Sequence, residues 1–124
     1  MSAADLGPLL RRSGDALGVP ARAGLNVRLT CDTELRQLNA RFMGADEPTD
    51  VLAFPSGEAG RVGDVAISVE RAAAQRQDAA AELRLLAVHG LLHCLGHDHV
   101  DAAAAARMTQ ATRRLLPGEP TPSL

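Results

Sequence analysis

The chain has 124 residues, a length for one domain with a single modest core. Its formal charge of −2 excludes a generally basic nucleic-acid binder but leaves room for a local basic patch. Hydrophobic residues make up 46% of it, much of this alanine, with no Trp, no Tyr and two Phe, so the core has to be built from Leu, Val and Ala.

Residues 4–17 read as an amphipathic helix, with Leu6, Leu9, Leu10 and Leu17 on one side and Arg11 and Arg12 outside; Gly18, Pro20 and Gly24 break it. Leu25 to Cys31 alternates apolar and polar residues and predicts a half-buried strand. Asp32 is a good N-cap for a helix whose Leu35, Leu38 and Phe42, at i, i+3 and i+7, are expected to pack on the sheet. A polar loop over 44–49 leads to a short apolar strand over 50–54. A second strand follows over 62–69. There Val65, Ile67 and Val69 oppose Asp64, Ala66 and Ser68, so one face is expected to look into a polar cleft. The short spacing favours an antiparallel hairpin.

The next helix is expected from Ser68 or Glu70 to about Gln77. Asp78 then caps a helix over 79–95, which is apolar nearly all round from Leu85 onward and therefore buried. Asp101 caps a last helix with Met108, Ala111, Leu115 and Leu116 as its core stripe, and residues 116–124 form a loose tail. No repeat or second domain is evident, so 1–124 is read as one domain. The first twenty residues lack the apolar run of a signal peptide, and no stretch is long enough to span a bilayer. Two cysteines, Cys31 and Cys94, do not make a disulfide framework, so the expected setting is the reduced cytoplasm, with no membrane partner.

All four histidines fall within eleven residues, His89-Gly-Leu-Leu-His93-Cys-Leu-Gly96-His-Asp98-His99. His89 and His93 are four apart, one turn along one helix face. Gly96 is the residue type that most readily ends a helix in a left-handed turn, which can bring His99 back toward the other two. Three neutral imidazoles suit zinc and leave a fourth position for water. Satisfied core histidines are the alternative. Cys94 is adjacent to His93, about 100° round the helix, and reads as core packing. The spacing is close to the long zinc signature of metzincin peptidases. Gly90, however, stands where those peptidases carry their glutamate base.

Two further segments accompany the histidines. They are Leu38-Asn39, Phe42 and Asp46-Glu-Pro48-Thr49-Asp50-Val51-Leu52-Ala-Phe54-Pro55, and Gly63-Asp64-Val-Ala-Ile67-Ser68. Together the three blocks resemble the signature of the YbeY family of bacterial endoribonucleases, from about Leu25 to Leu116. The resemblance implies an α+β fold, a small mixed β-sheet of three to four strands covered by helices, with a buried zinc-binding helix in a zincin-like arrangement. It implies a zinc-dependent endoribonuclease specific for single strands. Such an enzyme acts on ribosomal RNA at the 3′ end of the small-subunit RNA and in ribosome quality control. Its partners are ribosomal RNA and ribosomal particles, and no small-molecule cofactor is expected beyond one Zn(2+) per chain. By position His89, His93 and His99 take the ligand roles.

The chain departs from the family pattern twice. Met43 stands where an arginine commonly follows the aromatic residue, and Arg41 is expected to point elsewhere. The strand that usually precedes the first helix is not evident, so the sheet is expected to be one strand short. Asp98 and Asp64 are the candidate proton acceptors. Asp98 alternatively orients a ligand histidine, which is the favoured reading, and Asp64 alternatively makes a turn. Phe54 and Arg41 are candidates for substrate binding, with core packing the alternative for Phe54. His97 is expected to face solvent, and Thr49 and Asp50 to fix their loop. Two other functions stay open: a metal-dependent peptidase lacking its usual base, and a non-catalytic ribosome assembly factor with a structural zinc.

Overall fold

The computed structural model describes residues 6–75 and 78–119. In chain order the elements are α1 (Leu6–Ala16), β1 (Gly24–Thr30), α2 (Asp32–Leu38), a π turn (Asn39–Met43), β2 (Val51–Pro55), β3 (Arg61–Ser68), α3 (Val69–Gln75), α4 (Ala79–Cys94) and α5 (Ala102–Leu115). Positions 4–5, 76–77 and 120–124, parts of the expected first helix, third helix and tail, lie outside the described residues. The sheet has three strands in the order β1–β3–β2. β3 pairs parallel with β1 and antiparallel with β2, so the expected mixed sheet and hairpin are both present.

Alternation along β3 decides what covers each face. Val65 and Ile67 pack with Leu83, Leu86 and Ala87 of α4, with Ala72 of α3 and with Leu6 of α1. Ala66 points the other way, onto Leu35 of α2 and Leu52 of β2. Behind α4, Leu85, Val88 and Leu92 meet Leu9 of α1 and Met108, Ala111 and Leu116 near the chain's end. Helix α4 is thus enclosed between the sheet and two further helices, which is why its apolar residues run almost all the way round. Burying each such Leu or Val stabilises the fold by roughly 1.5–3 kcal/mol.

Gly90 permits this packing. A Cβ at position 90 would lie 2.5 Å from Cγ1 of Val65 and 2.9 Å from its Cγ2. Helix α4 therefore meets β3 at a point where no side chain fits.

The expected aspartate caps of α4 and α5 are both present. The Asp78 carboxylate accepts from the amide of Ala81 at 3.1 Å, and that of Asp101 accepts from the amide of Ala104 at 2.8 Å.

Several expectations are corrected. Asp32 does not cap α2. It is the first helical residue, and its carboxylate accepts from the hydroxyl of buried Ser68 and, at 3.4 Å, from Arg71. On this face Ala66 and Ser68 are accordingly covered by α2, and Asp64 stays half exposed beside Asn26 and Arg61. Val69 begins α3 instead of ending β3. Phe42 is 56% exposed, because the helix widens into a π turn after Leu38 and swings it off the Leu35 face. The segment after α5 is not loose throughout: Leu116 is buried, and Glu119 accepts from Arg84 at 2.8 Å.

The contact at Gly90 gives a direct expectation. Gly90→Ala should lower the unfolding free energy by about 1–3 kcal/mol, the usual cost of overpacking against a stiff β-branched neighbour. A denaturant midpoint equal to that of the parent chain would contradict the close approach.

Candidate metal and RNA site

The site begins at the C-terminal end of α4. Leu91 and Leu92 face the core, while His89 and His93, one turn apart, share a different side. The helix stops by a six-residue backbone clasp. The His97 amide donates to the Leu92 carbonyl at 2.9 Å and the Gly96 amide to that of His93 at 3.0 Å. Gly96 takes the left-handed conformation this requires, with φ of 97°. The chain then turns through His97, Asp98 and His99 before Asp101 caps α5. The Asp98 carboxylate accepts from the amide of Val100 at 3.3 Å and so shapes that turn.

The turn returns His99 to the helix. The rings of His93 and His99 stand edge to face, with centroids 5.8 Å apart and planes at 75°. His89 is nearly buried and its Nε2 has no hydrogen-bond partner. Burial pushes the His89 imidazole down to about 4. The neighbouring His93 pushes it the same way, Asp50 opposes them, and His99 adds a small downward push. His93 is also lowered, mainly by burial, against a raising hydrogen bond that its ring donates to the backbone of His97. Both rings are therefore neutral at neutral pH, with lone pairs available.

The three imidazoles share one neighbourhood without closing on one point. Among the described residues, no group of three His, Cys, Asp or Glu side chains stands in position to hold a metal ion. The His93–His99 spacing is slightly wider than the roughly 5 Å between two imidazole centroids on a tetrahedral zinc. In donor chemistry the set still fits such an ion, since a buried, neutral, partnerless nitrogen is what a ligand histidine presents before binding.

His93 and His99 line a cleft of about 550 Å³ between the histidine turn and the β2 edge. Its walls include His93, His97 and His99 on one side and Met43, Thr49, Asp50 and Pro55 on the other. A second cavity, about 490 Å³, lies between α1 and β1. Its lining is mostly apolar, with Arg11 and Asp15 but no imidazole, so the chemistry belongs to the first cleft.

The remaining candidates divide. Asp98 is at the cleft. Asp64 is not: it lies on the opposite face of the sheet, accepting from Asn26 at 2.9 Å and from Arg61 at 3.1 Å. Arg41 lines a separate groove with Thr33, Arg36 and Asp46 and stacks over Phe42, its guanidinium 5.1 Å from the ring centre. Phe54 is half-buried against Leu35, Leu52 and Ala66. Cys94 packs against the core, where burial raises its thiol. His97, expected in solvent, is half-buried and lines the cleft.

Asp50 is the residue sequence reasoning undervalued. Its carboxylate accepts from Gln75 at 3.3 Å, its backbone carbonyl accepts from Ser68 at 2.9 Å, and it faces the histidines. The same Gln75 amide donates to buried Glu82 at 2.7 Å. The only sequence signal was position, at the exit of a polar loop into a strand.

The sequence model of the family Endoribonuclease YbeY matches residues 5–118. A Gloeobacter violaceus protein named Endoribonuclease YbeY is 44% identical over a match covering 76% of this chain and 56% of its own. A Moorella thermoacetica protein of the same name is 37% identical, with 91% and 83% covered. The chain thus spans little more than half the length of the Gloeobacter relative. The solution structure of TM1509 from Thermotoga maritima shares the fold, with a TM-score of 0.59 at 24% identity and 94% of this chain and 91% of that one covered. Among the described residues no helix is long and apolar enough to cross a membrane. By the extent of the family match and the identity to these relatives, the chain belongs to the YbeY endoribonuclease family.

Proposed function

We propose that the chain is a zinc-dependent endoribonuclease of the cytoplasm that cuts single-stranded RNA. Its place is in ribosomal RNA maturation, at the 3′ end of the small-subunit RNA, and in ribosome quality control, acting on ribosomal particles. One observation carries the metal reading. The buried, partnerless Nε2 of His89 lies one helical turn from His93, whose ring meets that of His99 at the wall of an open cleft. In this reading α4 is the metal helix of a zincin-like arrangement, and His89, His93 and His99 hold one zinc per chain. Such an ion supplies Lewis-acid chemistry, polarising a phosphoryl oxygen and lowering the pKa of water.

The protein's own groups do the rest. Burial keeps His89 neutral, so its nitrogen is free of a competing proton at neutral pH. Asp50, held by Gln75 at the cleft, is placed to take a proton from an attacking water. Asp98 bonds the Val100 amide and not a ligand imidazole, and so shapes the turn that presents His99; we assign the acceptor role, for which Asp98 and Asp64 were the candidates, to Asp50. The peptidase alternative loses its footing at Gly90, where Val65 leaves no room for a glutamate. The assembly-factor alternative keeps one observation in its favour: the apolar Met43, and no arginine among the described residues, lines the cleft. It predicts ribosomal-particle binding with no cleavage.

Purified protein should carry about one zinc per chain by elemental analysis, and His89→Ala should lose it; normal metal content in that variant would sink the ligand assignment. Chelation should abolish cleavage of a single-stranded RNA and added zinc should restore it, with casein left intact throughout.

The metal-free protein should also show a pH signature. The folded His89 titrates near 4 and an ordinary histidine near 6.5, so between these values the unfolded chain binds a proton that the folded chain refuses. Stability is therefore full above 6.5 and falls as the pH drops toward 4. In chelated samples, thermal midpoints measured over that window should fall less steeply for His89→Gln than for the parent. Equal slopes would mean that His89 is not held neutral by the fold.

A further inference from the structure

We infer that the exposed ring of Phe42 is a stacking platform for a nucleobase of single-stranded RNA on its way into the histidine cleft, with Arg41 beside it to meet the same strand. The inference rests on the endoribonuclease reading and deepens it. The chain has only two aromatic residues, yet it leaves one of them, Phe42, 56% exposed. Its neighbour Met43 is 49% exposed and forms part of the cleft wall opposite His93 and His99. The platform and the cleft are therefore joined by one peptide bond.

The ring is held in place from behind. Phe54, itself packed on Leu35, Leu52 and Ala66, meets Phe42 with centroids 5.5 Å apart and planes at 70°. The π turn that carries the ring is anchored too. Asn39 is buried and donates from Nδ2 to the carbonyl of Glu47 at 3.1 Å, and the turn closes at Gly44, whose φ is 73°. An apolar ring kept in water by a buried polar anchor is not a frayed helix end. Single π turns of this kind recur at functional sites.

The occupant follows from the neighbours. The Arg41 guanidinium lies 5.1 Å from the ring centre, and among the described residues no carboxylate pairs with it. An aromatic ring next to an arginine suits a strand that offers flat bases and phosphates in alternation. An apolar peptide would gain nothing from the cation. Phe54, the ring first considered for stacking, instead braces the one that does it.

The absence of Trp and Tyr makes the test clean, because Phe42→Trp places a single indole in the chain. Titration of that variant with a non-cleavable 2′-O-methyl oligonucleotide of about ten residues should quench its fluorescence. An abasic sugar–phosphate oligomer of equal length should not. Phe42→Leu, which keeps apolar bulk without a ring, should bind the oligonucleotide on the order of tenfold or more weakly, and should raise KM for RNA cleavage with kcat kept. Quenching by both oligomers alike, oligonucleotide binding without quenching, no oligonucleotide binding at all, or full affinity in Phe42→Leu would each overturn the platform. Quenching that persists in a protein with no cleavage would leave the platform standing and sink the nuclease reading alone.

Discussion

Helix α4 can lie against the sheet because position 90 has no side chain to meet Val65. That single close approach seats the helix, and the seat sets what its other faces can do. The sheet-facing side holds Leu83, Leu86 and Ala87, and the far side holds Leu85, Val88 and Leu92 against α1 and α5. His93 is left to reach a cleft at the β2 edge, with His89 buried one turn behind it. A helix clamped on both sides holds its polar side chains in fixed directions, which pre-organises a site more firmly than a loop can.

The cleft is closed on its other side by segments that owe their positions to backbone bonds. The clasp at Gly96 folds the chain back so that His99 faces His93, and Asp101 ties the returning strand of loop to α5. Across the cleft, the Asp50 carbonyl is tied to Ser68, and Ser68 in turn to Asp32. The polar residues of the central strand are thus spent on holding elements together. This is why Asp64 and Ser68, polar and on the right strand, have no part in the cleft. Burial then does chemical work: it strips water from His89 and so keeps the ring neutral, without any dedicated partner.

Much of this was legible in the residues. The apolar run through Leu85 to Leu92, broken only by His89 and Gly90, marked a buried helix, and the buried helix is there. Asp78 and Asp101 marked helix starts and do cap them. The alternation in β1 marked a strand and the short link between β2 and β3 marked a hairpin, while the mixed sheet was implied by the family resemblance. The failures share one cause. Phe42 and Asp32 were judged by local rules, yet each is placed by a partner distant in sequence. Asp32 gave up capping for a bond to Ser68, thirty-six residues away. Phe42 left the apolar stripe because Asn39 is drawn inward to Glu47 and opens the helix by a turn.

The order of residues alone determined which groups are available and how neighbours along one element are spaced. It placed two histidines on one helix face, a glycine to end that helix, and no acid at position 90. Periodicity and helix-ending chemistry are local, so they can be read without a structure. Only the tertiary structure decided which groups share a cleft. It set Asp50 and Met43 opposite the histidines, put Asp64 behind the sheet, and left Phe42 in water beside the opening. Those outcomes depend on which face of a strand is covered and how closely a helix may approach it. Both are settled by packing between segments that sequence order keeps far apart.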